Sequence, residues 1–241
     1  MKLQHITFTG IDWKTDLYEL YRIQEEYPFV EWGVLLSKNW RENGNRYFNP
    51  SYLQIFQNSD LNLSAHLCGT MAAYAIRGGW QYILDNTYWN FDVFRRCQLN
   101  VSNRKDNPTQ LTKLRRLECL DELIIQQHDI NSLSLWRTAK TKRNITPLLD
   151  ASGGQGIDTP IEVLENVPKV GYAGGINVEN VFDKLTYLLK HEKVDTFWID
   201  MESSVRTGDW FDTDKVRAVL GKCEDAFKAV GVYDKYMKHK R

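Results

Sequence analysis

The sequence predicts a single (β/α)8 barrel, on three observations. Eight short apolar runs, each of strand length, alternate with stretches of helical periodicity, the pattern of a parallel sheet covered by helices. Eight such units in 241 residues fill a closed barrel rather than an open doubly wound sheet. Late in the chain, three polar segments each follow an apolar run, about 25 residues apart, which is the length of one strand-plus-helix unit. They are Leu148-Leu149-Asp150-Ala151-Ser152-Gly153-Gly154-Gln155-Gly156, Gly171-Tyr172-Ala173-Gly174-Gly175-Ile176-Asn177 and Trp198-Ile199-Asp200-Met201-Glu202-Ser203-Ser204. An open dinucleotide-binding sheet would carry a glycine fingerprint after its first strand. That position holds Thr9-Gly10-Ile11, which does not fit it.

The elements follow in order. A first strand over residues 3–9 is closed by Gly10-Ile11-Asp12, and a helix over 14–26 keeps Leu17, Leu20, Tyr21 and Ile23 on one side. Strands are predicted over 30–37 and 62–67, the latter ending at Cys68-Gly69-Thr70, with a helix over 71–76 stopped by Gly78-Gly79. A helical piece is expected over 80–94. Further strands fall at 96–101, 122–127 (ending at His128-Asp129), 145–149, 167–173 and 196–199, and a last helix at 213–230. The chain reads as one domain over 1–241 with an enlarged middle region at about 70–143.

Composition narrows the function classes. Formal net charge is zero, which argues against nucleic acid as a ligand; the basic residues after 234 read as a solvated end. No run approaches the ~18 apolar residues of a membrane span, and residues 1–5 lack a signal-peptide pattern, so a cytoplasmic protein is expected. Cys68, Cys97, Cys119 and Cys223 form no C-x-x-C pair, which argues against a structural zinc site or a disulfide framework. No cofactor is expected. Lys38, Lys142 and Lys169 do not fall at a strand's C-terminal end, which disfavours Schiff-base chemistry.

Barrel active sites gather at the C-terminal strand ends. The polar residues there are Thr9, Asp12, His66, Cys68, Asn100, His128, Asp129, Asp150, Asp200, Glu202, Ser203 and Ser204. Asp150 is the leading catalytic candidate, because a carboxylate beside a glycine loop can be desolvated into a useful protonation range; otherwise it is a loop acceptor. His66 and Cys68 share one side of their strand and form a candidate base or nucleophile pair; otherwise they are a packed histidine and an inert thiol. His128 and Asp129, being adjacent, point to opposite sides, and with His66 and Cys68 give no metal-ligand spacing. Gly153, Gly154, Gly156, Gly174 and Gly175 would admit a phosphate to the backbone, helped by Ser203 and Ser204; otherwise they are turn glycines and a helix cap.

Several of these segments resemble phosphoribosylanthranilate isomerases of tryptophan biosynthesis. Phe8-Thr9-Gly10-Ile11 is similar to that family's C-G-I turn, and Asn45-Arg46-Tyr47-Phe48-Asn49-Pro50 to its S-P-R-Y-V segment. Leu148-Leu149-Asp150 with Gly153-Gly154-Gln155-Gly156 resembles L-L-D…G-G-T-G. Residues 173–181 resemble A-G-G-L-x-P-E-N-V, and Ile199-Asp200 with Ser203-Ser204-Val205 resembles D-V-S-S-G-V-E. The matches run in order across nearly the whole chain, although residues 55–143 match little. The resemblance implies that Asp150 is the general acid of an Amadori rearrangement, that Arg46 holds a substrate anion, that Asp200 contacts substrate, and that the late glycines hold a phosphate; His128 is a candidate substrate contact by its strand-end position alone. It also places Thr9 where the family has its cysteine base. A threonine hydroxyl cannot replace a thiolate without a second base, for which His66, Cys68 and Asp12 are the candidates.

Two functions follow as expectations. One is an isomerase or related enzyme on a phosphoribosyl-type compound, other than the standard tryptophan-pathway reaction. The other is a non-catalytic barrel that kept the phosphate site. A third role, in protein interaction or homo-oligomer formation, rests on Trp80, Tyr82, Tyr88, Trp89, Phe91 and Phe94, which are equally core or lid candidates.

Overall fold

The structure is a computed structural model and describes residues 2–41, 44–88, 90–100, 118–128, 144–164 and 167–237. Eight parallel strands close into one barrel: β1 (Lys2–Thr9), β2 (Val30–Leu36), β3 (Leu63–Leu67), β4 (Arg96–Leu99), β5 (Glu122–Gln127), β6 (Ile145–Asp150), β7 (Lys169–Ala173) and β8 (Thr196–Met201), in sequence order, with β8 returning to β1. Around it lie α1 (Leu17–Glu26), α2 (Thr70–Ile76), α3 (Trp80–Asn86), α4 (Val181–His191), α5 (Thr213–Ala229) and α6 (Tyr233–Met237). Asp16 and Asp212 start α1 and α5, each with its side chain accepting from backbone N–H groups of the first turn. The predicted barrel is thus the observed fold. Among the described residues no helix is long and apolar enough to cross a membrane.

Two differences from the predicted elements have physical causes. The helix expected over 80–94 stops at Asn86, because Thr87 turns its hydroxyl back onto Ile83 O (2.9 Å) and Tyr88 takes a left-handed φ of 51°. Trp80, Phe91 and Phe94 then pack into the core, while Tyr82 stacks on Tyr74 at 4.0 Å. Trp89 lies outside the described residues. An antiparallel hairpin of β9 (Arg206–Thr207) and β10 (Trp210–Phe211) follows β8 and is unmarked by any apolar alternation.

The main core lies between sheet and helices, as period-two alternation requires of a parallel sheet. The barrel's own interior is different, because its floor is ionic. Arg96 on β4 donates through Nη1 to both oxygens of Glu31 (2.9 and 2.8 Å) and through Nε to Glu122 (2.6 Å). Lys169 Nζ reaches Glu122 at 2.5 Å, and the Thr7 and Thr146 hydroxyls donate to Glu31 and Glu122. Above this floor sits a separate apolar cluster of Ile124, Leu148 and Trp198. Gly171 makes room for it, since a β-carbon there would fall 2.2 Å from the indole of Trp198. The Trp198 ring in turn lies 4.5 Å from the Arg96 guanidinium.

This floor sets an acid limit on stability. Burial works to raise Glu31, but the Arg96 guanidinium outweighs it, and the carboxyl is held at about 2. A carboxyl whose folded value is depressed contributes stability above its unfolded value and loses it as pH falls towards the folded one. In Glu31→Gln, urea unfolding should therefore give a shallower fall in stability between pH 4.5 and 2 than in the parent protein. Arg96→Met, which strands two buried carboxylates, should cost about 3–5 kcal/mol at pH 7. A loss under ~1 kcal/mol would mean the ion network is dispensable.

Candidate functional site

Above the apolar cluster the barrel opens into a mouth cavity of about 460 Å3, lined by the ends of β1 and of β3 through β8. At its floor the Thr9 hydroxyl donates to Asp200 Oδ1 at 2.7 Å. Gln98 Nε2 lies 3.4 Å from Asp200 Oδ2 and 2.9 Å from Asn100 Oδ1. His66 stands beside them, its Nε2 3.1 Å from the Ser64 hydroxyl and its Nδ1 4.0 Å from Asp200 Oδ2. The geometry depends on a glycine: a β-carbon at Gly33 would fall 2.4 Å from the Thr9 hydroxyl oxygen and 3.0 Å from His66 Nε2. Two buried polar atoms here, His66 Nδ1 and Gln98 Oε1, make no hydrogen bond among the described residues.

Asp200 is 6% exposed. Burial pushes its carboxyl up to about 7, against the lowering effect of the Thr9 and Gln98 hydrogen bonds and with help from the Glu31 and Asp150 charges. Burial also pushes His66 down to about 4, so its ring is neutral at pH 7. The sequence marks Asp200 only as a strand-end residue and, through the family resemblance, as a substrate contact. Its raised proton affinity comes from its surroundings. The available signal was its place between Ile199 and Met201, which turns it to the barrel interior of an otherwise apolar strand.

The other candidates are distributed unevenly. Asp150 reaches the mouth but is fully engaged: Oδ1 accepts from Ser152 N (3.2 Å) and Ser152 Oγ (2.7 Å), and Oδ2 from Gly154 N and Gln126 Nε2 (2.7 Å each). Asp12 lies away from the mouth cavity, accepting from the N–H groups of Lys14 (3.0 Å) and Phe211 (2.7 Å) and pairing with Arg206 at 3.3 Å. There it ties the first loop to the β9–β10 hairpin. Cys68 is separated from His66's ring: its thiol faces the carbonyl oxygen of His66 at 3.7 Å and accepts from Asn100 Nδ2 at 3.3 Å. Burial, and then the Glu202 charge, push the thiol up to about 12, which leaves it a poor nucleophile. His128 lies against the β6 loop, where a β-carbon on Gly153 would meet its ring at 3.3 Å. Asp129 lies outside the described residues.

Among the expected phosphate contacts, Gly154, Gly156, Gly174, Gly175, Ser203 and Ser204 line the mouth cavity. Gly153 lines a neighbouring chamber of about 660 Å3, together with Arg46 and Cys68. The loops after β6 and β7 interlock tightly. Gly175 has φ 62°, and a β-carbon there would fall 2.3 Å from the backbone nitrogen of Asp158. The β6 loop spends its N–H groups internally, Gly154 on Asp150 and Gly156 on Ser152 Oγ (3.3 Å). By contrast, no hydrogen bond among the described residues uses the N–H of Gly174, Gly175 or Ile176. The turn before α4 is pinned by Asn177, whose Oδ1 accepts from Glu179 N (2.9 Å) and Asn180 N (3.1 Å). Among the described residues no group of three or more His, Cys, Asp or Glu side chains is placed to hold a metal ion.

A carboxyl raised by burial destabilises the fold once it ionises. Its contribution is intact below the unfolded value of 3.8 and is lost as pH rises through about 7. Asp200→Asn carries no charge to bury, and the unpartnered Gln98 Oε1 can turn to receive the new amide. The variant should therefore be more stable than the parent by roughly 1–3 kcal/mol at pH 8, with the difference vanishing near pH 4. Chemical unfolding at the two pH values measures this. Equal stability at both would mean Asp200 is solvated.

A sequence model of the N-(5'-phosphoribosyl)anthranilate (PRA) isomerase family matches residues 106–222, just under half of the chain. Similar solved structures include N-(5'-phosphoribosyl)anthranilate isomerase from Pyrococcus furiosus, at 17% identity and TM-score 0.55. The phosphoribosyl anthranilate isomerase from Thermococcus kodakaraensis is also similar, at 14% identity and TM-score 0.56. Each comparison covers 92% of this chain and 99% of the other, and at these identities it speaks to the fold. No curated protein matches the sequence. The family match over residues 106–222 and the fold shared along nearly all of the chain agree with the order of the motifs: the chain is a (β/α)8 barrel similar to the phosphoribosylanthranilate isomerases.

Proposed function

We propose that this barrel binds a phosphorylated sugar or phosphoribosyl compound at its mouth and exchanges a proton with it through Asp200. It would then be an isomerase of the Amadori type, or a related sugar-phosphate enzyme, outside the standard tryptophan-pathway reaction. The observation that carries the reading is a buried carboxyl at the barrel mouth, held at about 7 and hydrogen-bonded to the threonine that stands at the family's base position. A group with that value can take or return a proton at neutral pH with little driving-force penalty. Thr9 lacks a basic form of its own and instead orients Asp200. Asp150, at the position of the family's acid, would face the opposite proton transfer. The N–H groups of Gly174, Gly175 and Ile176, with the Ser203 hydroxyl, supply donors for a phosphate without a basic side chain, while the Ser204 hydroxyl donates to Ile176 O at 2.7 Å and braces that turn.

A non-catalytic phosphate-binding barrel is the second reading. It is favoured by the four internal hydrogen bonds that Asp150 accepts, which engage both its oxygens and must partly open before that carboxyl can contact a ligand. The two readings separate in one experiment. A thermal-shift screen against phosphorylated sugars, ribonucleotides and inorganic phosphate finds the ligand class, since a ligand of the folded state raises the melting temperature by mass action. Turnover of the best ligand is then followed in the parent and in Asp200→Asn. The enzyme reading expects turnover lost by about 100-fold or more in the variant with binding retained. Binding without turnover in either protein supports the second reading, and no shift with any phosphate compound removes both. On phosphoribosylanthranilate itself the parent should be inactive, and Thr9→Cys should gain at most weak turnover. Robust turnover by the parent would overturn the argument from the missing cysteine.

A further inference from the structure

The mouth cavity continues sideways. The neighbouring chamber of about 660 Å3 shares Asn100, Gln126, Gly154 and Glu202 with it, so a ligand held by phosphate at the β7 and β8 loops has its far half directed there. The chamber's cation is Arg46, which the family resemblance would assign to a substrate carboxylate. Here that guanidinium is already engaged twice, by Glu202 Oε1 at 3.0 Å and Asp209 Oδ1 at 3.3 Å. A second guanidinium, Arg206, lies 3.7 Å from Asp209 and is engaged by Asp12 at 3.3 Å. Among the described residues two guanidiniums thus face three carboxylates, a balance of −1 when all are ionised. The remaining lining, Ser37, Tyr47, Asn100 and Gln126, is neutral and hydrogen-bonding.

Resting on the phosphate-ligand reading above, we infer that the side chamber selects a neutral amide-like or cationic group on the far half of the ligand and rejects a carboxylate. A carboxylate entering the chamber would meet Glu202 and Asp209 at like charge and would have to displace one of them from Arg46. The displaced group would be left without its partner beside a partly desolvated anion. An amide meets no such cost, and an ammonium gains from the negative balance. Specificity of this kind comes from the repulsive element as much as from the attractive one. Glu202 is central to it, because it lines both cavities and bonds to Arg46 across 156 residues of sequence.

The test uses three matched probes: 1-phenylamino-1-deoxyribitol 5-phosphates carrying an ortho carboxylate, carboxamide or aminomethyl group. Their phosphate halves are identical. Calorimetric titration of the parent protein should give the carboxamide and aminomethyl probes at least ~10-fold tighter binding than the carboxylate probe. Asp209→Asn, which keeps an acceptor oxygen and tolerates the left-handed φ of 63° at that position, removes one of the two anions on Arg46. It should tighten the carboxylate probe by about 10-fold while leaving the carboxamide probe within about twofold. Carboxylate binding as tight as, or tighter than, carboxamide binding in the parent overturns the inference and leaves the phosphate reading intact. Equal weakening of all three probes in the variant would reduce Asp209 to a structural role and also overturns it. If none of the three binds, the phosphate reading fails and this inference with it.

Discussion

Arg96 sits inside the barrel between Glu31 and Glu122, and the other interior features follow from that placement. Its guanidinium joins β2, β4 and β5 through charge-assisted hydrogen bonds, and Lys169 extends the link to β7. Four charges balance, so the floor needs no counter-ion, and the threonines of β1 and β6 complete the carboxylates' hydrogen bonding. Breaking one partner of such a network is costly, because it strands the others as buried, unpaired charges. The Trp198 ring covers the guanidinium and separates the ionic floor from the polar mouth.

Floor and mouth are nevertheless electrically connected. The Glu31 charge is among the influences raising Asp200, alongside burial and the charge of Asp150. A carboxyl at the mouth of an apolar barrel would be raised by desolvation alone; an anion at the floor raises it further. The same burial keeps His66 neutral, so the strand-end histidine and carboxyl do not form an ion pair that would fix the proton in one place. Thr9 and Gln98 oppose the rise and hold Asp200 close to neutrality, and a strained balance of this sort is what active sites commonly show.

Much of this architecture was legible in the sequence, and what was not has a common cause. The strands announce themselves by apolar runs of the right length, and β5 spans 122–127 as the pattern predicts. The glycine loops were legible as loops because their left-handed backbone admits little else. The misses concern partners far apart in sequence. Arg46 finds Glu202 and Asp209 at separations of 156 and 163 residues, and Thr9 finds Asp200 at 191, so nothing local reveals that the arginine is spent or that the threonine serves a carboxyl. Asp12 reads as a candidate base at its strand end, yet its environment is set by a two-residue hairpin nearly 200 residues later. Residue type and strand position pick out candidate site residues; protonation behaviour depends on the finished packing.

The proton affinity of Asp200 in the folded protein underlies the proposed chemistry of the mouth. It can be read directly from the side-chain carboxyl resonances of protein labelled with 13C-aspartate, titrated from pH 3 to 9, with Asp200→Asn identifying the signal. A single aspartate carboxyl titrating near pH 7, absent from the variant, is the predicted result. An Asp200 carboxyl that titrates below about pH 5, like an ordinary solvated aspartate, would contradict proton exchange through Asp200 at neutral pH.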